Sequence, residues 1–180
     1  MAAAHAATHG PGRSGGGVRL RPLTLEDLDR IMELEAELFG RGAWSRGAYV
    51  EELTVAPDRT YVAAVVGQRV VGYAGLAGGD EAQVMTVGVE EAYRRRGIGG
   101  LLLDALLAAA REQGSSSALL EVRASDTGAQ RLYAAAGFVP IGRRANYYQA
   151  EHEDAVVMRA PLRRGPGPVG AEQVEGAEDA

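Results

Sequence analysis

The hydrophobic and polar positions of the chain follow two periods, and its first third predicts a strand followed by two helices. The stretch "VRLRP", which starts at Val18, alternates from residue to residue and predicts a strand. In "TLEDLDRIMELEAELF", acidic residues fill the first turn and apolar residues recur every three or four positions, so we expect a helix capped by Thr24. "GAWSRGAYVEEL" predicts a second, shorter helix with Ser45 as its N-cap.

The rest of the chain predicts six more strands and two more helices. "TYVAAVV" and "VVGYAGLAG", joined by "GQR", predict a hairpin, and the mostly apolar "EAQVMTVGV" predicts a third, central strand. A helix is expected over residues 99–113, ended by Gly114, and "SALLEVRA" follows as a strand. "DTGAQRLYAAAG" predicts a helix that ends at Gly137, before two closing strands in "FVPIGRRANYY" and "DAVVMRAPL".

The predicted order is therefore β-α-α-β-β-β-α-β-α-β-β. It combines an antiparallel meander with β-α-β crossovers. We expect an α/β fold with a mixed, largely antiparallel sheet of six or seven strands and helices on both faces.

Composition sets the size of the folded part. The chain has 180 residues, of which 46% are hydrophobic, enough for one domain with a real core. Residues 1–17 are small and polar, and residues 163–180 are rich in Pro, Gly and acidic residues, so we expect both tails to be disordered. That leaves residues 18–162 as a single domain.

Charge and residue content exclude several classes of chemistry. The net charge of −5 disfavours direct nucleic-acid binding, and the absence of cysteine excludes thiol catalysis. Two of the three histidines, His5 and His9, lie in the first tail, and His152 stands alone, so no metal site is expected. No apolar run approaches the roughly 20 residues that span a bilayer, and the first residues do not resemble a signal peptide. These features predict a cytoplasmic protein without a membrane partner.

A basic, glycine-rich turn separates the central strand from the leucine-rich helix. In "RRRGIG", which runs from Arg94 to Gly99, glycines let the backbone come close to a ligand at a helix start, where free N–H groups attract anions. The P-loop pattern is absent, because Gly100 and Leu101 stand where it needs Lys and Ser/Thr. The dinucleotide fingerprint lacks its third glycine, since Leu102 holds that position. On these residues alone, a phosphate site and an ordinary turn with solvated arginines are equally supported.

The spacing Arg94-x-x-Gly97-x-Gly99 resembles the (Gln/Arg)-x-x-Gly-x-(Gly/Ala) signature of the GNAT superfamily of acetyl-CoA-dependent N-acetyltransferases. The strand order over residues 18–162 is also similar to theirs. Further segments resemble one branch, the RimI-type ribosomal-protein alanine N-acetyltransferases; they are "AWS", "LEVRASD", "LYAAAGF", "RRANYY" and "EDAVVM". "LYAAAGF" is common across the superfamily, whereas the combination of the others is more specific.

The resemblance implies a role for each matching residue. It makes Glu121 the general base and Tyr133 the general acid. It implies that the strand backbone and the glycine turn hold acetyl-CoA, the cofactor-binding set being Val87, Gly88, Val89, Arg94, Arg95, Arg96, Gly97, Ile98, Gly99 and Asp126. It also points to three residues that line the peptide groove, Trp44, Asn146 and Tyr147.

Three positions depart from the branch. Asp126 stands where Asn is usual; it can still cap a helix, but it adds negative charge near an anionic cofactor, so a lower cofactor affinity is expected. Gln149 replaces the proline that often follows the paired tyrosines, which leaves the substrate loop less defined, and Ala43 replaces the proline before Trp44.

The implied function is acetyl transfer from acetyl-CoA to the N-terminal amine of a protein, in this branch the N-terminal alanine of a small-subunit ribosomal protein. A lysine side chain or a small-molecule amine is the alternative acceptor, and a coenzyme A-binding module without catalysis is a third interpretation. Without the resemblance, Glu121 would be expected to face solvent or to pair with Arg123. Tyr133 would then be a packing residue near a helix end.

Overall fold

The structure, a computed structural model, describes residues 17–55 and 58–162. Gly17 excepted, the two predicted tails lie outside the described residues, and the predicted domain limits stay a prediction. The seven strands are β1 (Val18–Pro22), β2 (Arg59–Val66), β3 (Arg69–Ala77), β4 (Glu81–Val89), β5 (Ser117–Arg123), β6 (Val139–Tyr148) and β7 (Glu153–Pro161). The α-helices are α1 (Leu28–Phe39), α2 (Arg46–Thr54), α3 (Ile98–Glu112) and α4 (Thr127–Ala135).

All seven strands form one sheet in the order β1-β2-β3-β4-β5-β7-β6. Every neighbouring pair is antiparallel except β4 and β5, which are parallel. The predicted element order and the mixed, largely antiparallel sheet are confirmed, with β4 at the centre.

Alternating residues of the strands build a core on each face of the sheet. On one face, α3 buries its leucine stripe, including Leu102 and Leu106, against strand residues such as Leu120. On the other face, α1 buries Ile31 and Leu34 with α2, β2 and β3. Burying a leucine or isoleucine side chain of this kind stabilises the fold by about 1.5–3 kcal/mol each. No helix of the described ranges is long and apolar enough to cross a membrane.

The capping residues predicted from the sequence are in place, with one difference. Ser45 accepts a hydrogen bond from the Ala48 backbone N–H at the start of α2. Thr24 precedes a short 3-10 turn, Leu25–Asp27, and α1 begins only at Leu28. The turn is tightened because the Asp27 carboxylate accepts from the Thr24 backbone N–H at 2.9 Å and from the Arg21 guanidinium at 2.7 Å. Hydrogen bonding from Arg21 lowers the pKa of Asp27.

Candidate active site

A split between the two parallel strands opens the middle of the sheet. The ladder joins residues 81–83 of β4 to residues 117–119 of β5 and goes no further. On its other side β4 carries a bulge, since Gly75 pairs with Thr86 and Leu76 with Val84, which leaves Met85 as the extra residue. A bulge bends its strand. The far half of β4 therefore separates from β5 and leaves a cleft between them.

A cavity of about 570 Å³ occupies one side of this cleft. It is lined by nine of the ten predicted cofactor residues: Val87, Gly88, Val89, Arg94, Arg95, Gly97, Ile98, Gly99 and Asp126. The tenth, Arg96, is not part of the lining; its guanidinium lies over the Tyr93 ring, 5.1 Å from the ring centroid. The fold thus brings the glycine turn and the β4 backbone to one cavity and leaves Arg96 outside its lining. The cofactor contacts of all ten residues stay predictions.

The residues of this cavity fit an anionic cofactor. Gly97 adopts φ +80°, and a Cβ there would meet no atom within 4 Å, so the turn is open at the start of α3. The first N–H groups of a helix have no intrahelical partner and lie at its positive end. Arg94 and Arg95 add two guanidinium groups to the lining. The backbone at Gly99 also lies close to α4, because a Cβ there would be 3.1 Å from the Leu132 side chain.

A second cavity, of about 300 Å³, continues from the first and brings Glu121, Tyr133 and Trp44 together. Five residues line both cavities: Leu38, Phe39, Val87, Asp126 and Ala129. The two spaces are therefore contiguous. We call the first one the cofactor cavity and the second one the acceptor cavity.

Glu121 reaches the acceptor cavity from β5 with its side chain 12% exposed. Its carboxylate accepts a hydrogen bond from Gln83 Nε2 at 2.6 Å and pairs with Arg144 at 3.2 Å. Arg123 is engaged elsewhere, within 3.3 Å of Glu153, so the simple pairing of Glu121 with Arg123 is not observed. One flank of the Glu121 carboxylate is thus fixed by a neutral donor and the other by a cation.

Tyr133 enters the same cavity from α4 and is 9% exposed. Its hydroxyl makes no hydrogen bond to a described residue, and no fully buried side-chain polar atom of the described chain lacks a partner. The hydroxyl therefore opens on the cavity. Burial, helped by the negative charge of Asp126, raises the pKa of Tyr133 above its usual range, so the phenol stays protonated. Asp126 itself caps α4 by accepting from the Ala129 N–H at 2.8 Å.

The predicted peptide residues divide into two groups. Trp44 lines the acceptor cavity, whereas Asn146 and Tyr147 do not. The tyrosine that does so is Tyr148, whose pKa is raised to about 12 by burial. The pairing of β6 with β7 jumps from Arg144 to Tyr148, and Asn146 adopts φ +52° within that jump. This irregularity changes which side chains share a face, so alternation along the strand could not identify Tyr148.

Glu35 is the second residue of the cavity that the sequence analysis missed. It is 2% exposed on α1. A signal was present: Glu35 continues the spacing of Leu28, Ile31 and Leu38, so the helical period puts a carboxylate on the apolar stripe. A charged residue at such a position is seldom buried without partners.

The split sheet, the glycine turn and the contiguous cavities define an acetyltransferase of the GNAT class. The model of the acetyltransferase (GNAT) family matches residues 28–138, and the chain belongs to that family. The resemblance stated from the sequence is thereby confirmed. Enzymes of this family use acetyl-CoA as acetyl donor.

Several relatives with named activities are similar to this chain. The chain is 40% identical over 148 residues to the N-alpha-acetyltransferase RimI of Mycobacterium tuberculosis, covering 79% of this chain and 91% of the relative. It is 39% identical over 85 residues to the ribosomal protein bS18-alanine N-acetyltransferase of Salmonella typhimurium, covering 46% of this chain and 57% of the relative. The crystal structure of the ribosomal-protein-S18-alanine N-acetyltransferase from Escherichia coli matches with a TM-score of 0.74 at 26% identity, covering 84% of this chain and 98% of that one.

Proposed function

We propose that this enzyme transfers the acetyl group of acetyl-CoA to the N-terminal α-amine of a protein, the N-terminal alanine of a small-subunit ribosomal protein. Glu121 acts as the base and Tyr133 as the acid. The observation that carries the proposal is that these two side chains, from β5 and α4, line one cavity that continues into the cofactor cavity. The names of the relatives support the choice of acceptor.

The cofactor cavity supplies the contacts that acetyl-CoA requires. Arg94, Arg95 and the free N–H groups at the start of α3 would hold the pyrophosphate. The edge of β4 from Val87 to Val89, beyond the end of its ladder with β5, offers backbone groups to the pantetheine arm. When bound, acetyl-CoA supplies an acetyl group activated as a thioester.

Direct attack of the amine on the thioester is the simplest mechanism that accounts for every bond and proton. The neutral amine nitrogen bonds to the acetyl carbon, and the carbon–sulfur bond breaks. The proton lost by the amine goes to Glu121, either directly or through a water molecule, and the departing sulfur receives a hydrogen bond from Tyr133. Because the pKa of Tyr133 is raised, transfer of its proton to the sulfur is less favourable. We therefore expect Tyr133 to stabilise the leaving thiolate by hydrogen bonding, with proton transfer following.

An N-terminal amine suits this site chemically. Its reference pKa is near 7.7–8.0, whereas that of lysine is near 10.4. Deprotonating lysine at neutral pH therefore costs roughly 3.5 kcal/mol more. One carboxylate is a sufficient base for the easier acceptor. The alternative, a lysine side chain or a small-molecule amine, would need further help in deprotonation. Contacts of Asn146 and Tyr147 with the peptide stay predictions.

Mass spectrometry of a peptide that begins with alanine, incubated with acetyl-CoA, tests the proposal. A matched peptide with a blocked N-terminus and an internal lysine competes in the same tube. We expect acetylation of the free N-terminus and little on lysine. Because the enzyme itself contains no lysine, it adds no lysine background of its own. Acetylation of the blocked peptide alone would favour the alternative acceptor, and acetylation of neither would contradict transfer to peptide amines.

A further inference from the structure

A buried hydrogen-bonded cluster lies beneath the acceptor cavity and takes no part in the proposed proton transfers. Glu35 is at its centre. The backbone N–H of Trp44 donates to Glu35 Oε2 at 2.8 Å. The hydroxyls of Tyr49 and Tyr73 both donate to Glu35 Oε1, at 2.7 and 2.5 Å. Both tyrosines are fully buried, and burial raises the pKa values of both, so they stay protonated donors.

The cluster joins four separate elements at one carboxylate. Glu35 belongs to α1, Tyr49 to α2 and Tyr73 to β3, while Trp44 lies in the loop that joins the two helices. The Trp44 ring packs on Tyr49, with centroids 5.6 Å apart. Both Glu35 and Trp44 line the acceptor cavity. The wall of that cavity is thus attached to the core through Glu35.

The loop that carries Trp44 needs such an attachment. It contains Gly40, with φ +51°, and Gly42, and glycines leave an unfolded or loosened backbone more freedom than other residues. Ala43 N–H bonds the Gly40 carbonyl within the turn, and the bond from Trp44 to Glu35 is the described hydrogen bond that joins residues 41–44 to the side chains of α1. Hydrogen bonds to charged groups are about twice as strong as neutral ones.

We infer that Glu35 is a positioning residue: its carboxylate holds Trp44 and the loop before α2 in place and so sets the affinity for the acceptor. The inference rests on the proposed function. Glu35 is not a second base, because its two oxygens accept three hydrogen bonds and the residue is 2% exposed.

Glu35→Gln tests this inference, because a glutamine fills the same space but has only one accepting oxygen. It cannot accept from Trp44 on one side and from both tyrosines on the other. We expect the KM for an alanine-start peptide to rise roughly tenfold, with the KM for acetyl-CoA within twofold of wild type. A merely structural defect would instead lower the amount of active enzyme and leave the peptide KM unchanged.

Trp44 is the chain's single tryptophan, so its fluorescence reports on the loop without any need for activity. We expect red-shifted emission and stronger acrylamide quenching in Glu35→Gln. The matched control is Glu52→Gln on α2, whose carboxylate accepts from Arg59 and, as Glu35 does, from a tyrosine, but has no described bond to Trp44. Both Trp44 fluorescence and peptide KM should be unchanged in that control.

Tyr73→Phe removes one donor and carries the test should Glu35→Gln fail to fold. Changes in the same direction, of roughly two- to fivefold in peptide KM, are expected. Unchanged quenching and unchanged peptide KM in the folded variants would overturn the inference even if the wild-type enzyme acetylates the peptide. If the wild-type enzyme acetylates no peptide amine, the proposed function fails instead, and the fluorescence still decides the role of Glu35.

Discussion

Replacing Glu121 by glutamine separates its chemistry from its structural role. The variant keeps the shape of the side chain and loses the base. General acid–base catalysis by a positioned side chain typically contributes 10²–10⁴-fold. We therefore expect kcat to fall by about 10²–10⁴-fold, which corresponds to about 2.7–5.4 kcal/mol in the activation barrier.

The structure indicates that stability and cofactor binding should survive this change. The pair with Arg144 is weak, because the Arg144 side chain is 58% exposed, and exposed pairs are worth at most about 1 kcal/mol. A glutamine oxygen can still accept from Gln83. Glu121 lines the acceptor cavity and not the cofactor cavity. The free energy of unfolding should thus fall by less than about 1 kcal/mol, and the Kd for coenzyme A should stay within twofold.

The assay is steady-state release of coenzyme A with an alanine-start peptide, alongside calorimetric cofactor binding and thermal unfolding. Glu81→Gln is the matched control: this β4 carboxylate bonds Arg159 and Ser117 at the paired end of the strands, outside both cavities. It should keep nearly full activity. A kcat for Glu121→Gln within about threefold of wild type would remove Glu121 from the role of base.

Three further substitutions test the cofactor site, the packing of the core and the loss of stability at acidic pH. Asp126→Asn should lower the Kd for coenzyme A about two- to fivefold at low salt, measured by calorimetry, because it removes a negative charge and keeps the helix cap. Gly75→Ala should destabilise the fold by about 2–3 kcal/mol in chemical denaturation, because the new Cβ would lie 2.2 Å from the Tyr61 ring; Gly142→Ala, with no atom within 4 Å, is the control. The lowered pKa of Asp27 means that the unfolded chain binds more protons near pH 4, so its contribution is present above that pH and is lost as the pH falls through the folded pKa. Asp27→Asn should therefore lower the Tm at pH 7, and its Tm should fall less than that of the wild type as the pH drops below 4. An equal fall in Tm for the two proteins would contradict this.

Local signals in the sequence were sufficient to predict the helices and strands and to locate the glycine turn. Ser45 caps α2 as expected, and Gly137 ends the α4 segment with φ +94°. Each of these features depends on a few adjacent residues and on the backbone freedom of glycine, which a pattern along the chain contains. The glycine turn was located for the same reason, and the family resemblance then implied acetyl-CoA as its ligand.

By itself, the sequence determined the order of strands and helices, the two apolar faces and the spacing that aligns Arg94 and Gly97 with the start of α3. Only the tertiary structure decided how the acceptor cavity is formed. The extra residue Met85 separates β4 from β5, and the jump before Tyr148 turns that side chain into the cavity in place of its neighbour. Glu35 acquires its three donors from elements up to 38 residues away in the chain. Bulges, strand separation and long-range hydrogen bonds depend on partners that no local period contains, because they form only when distant segments pack together.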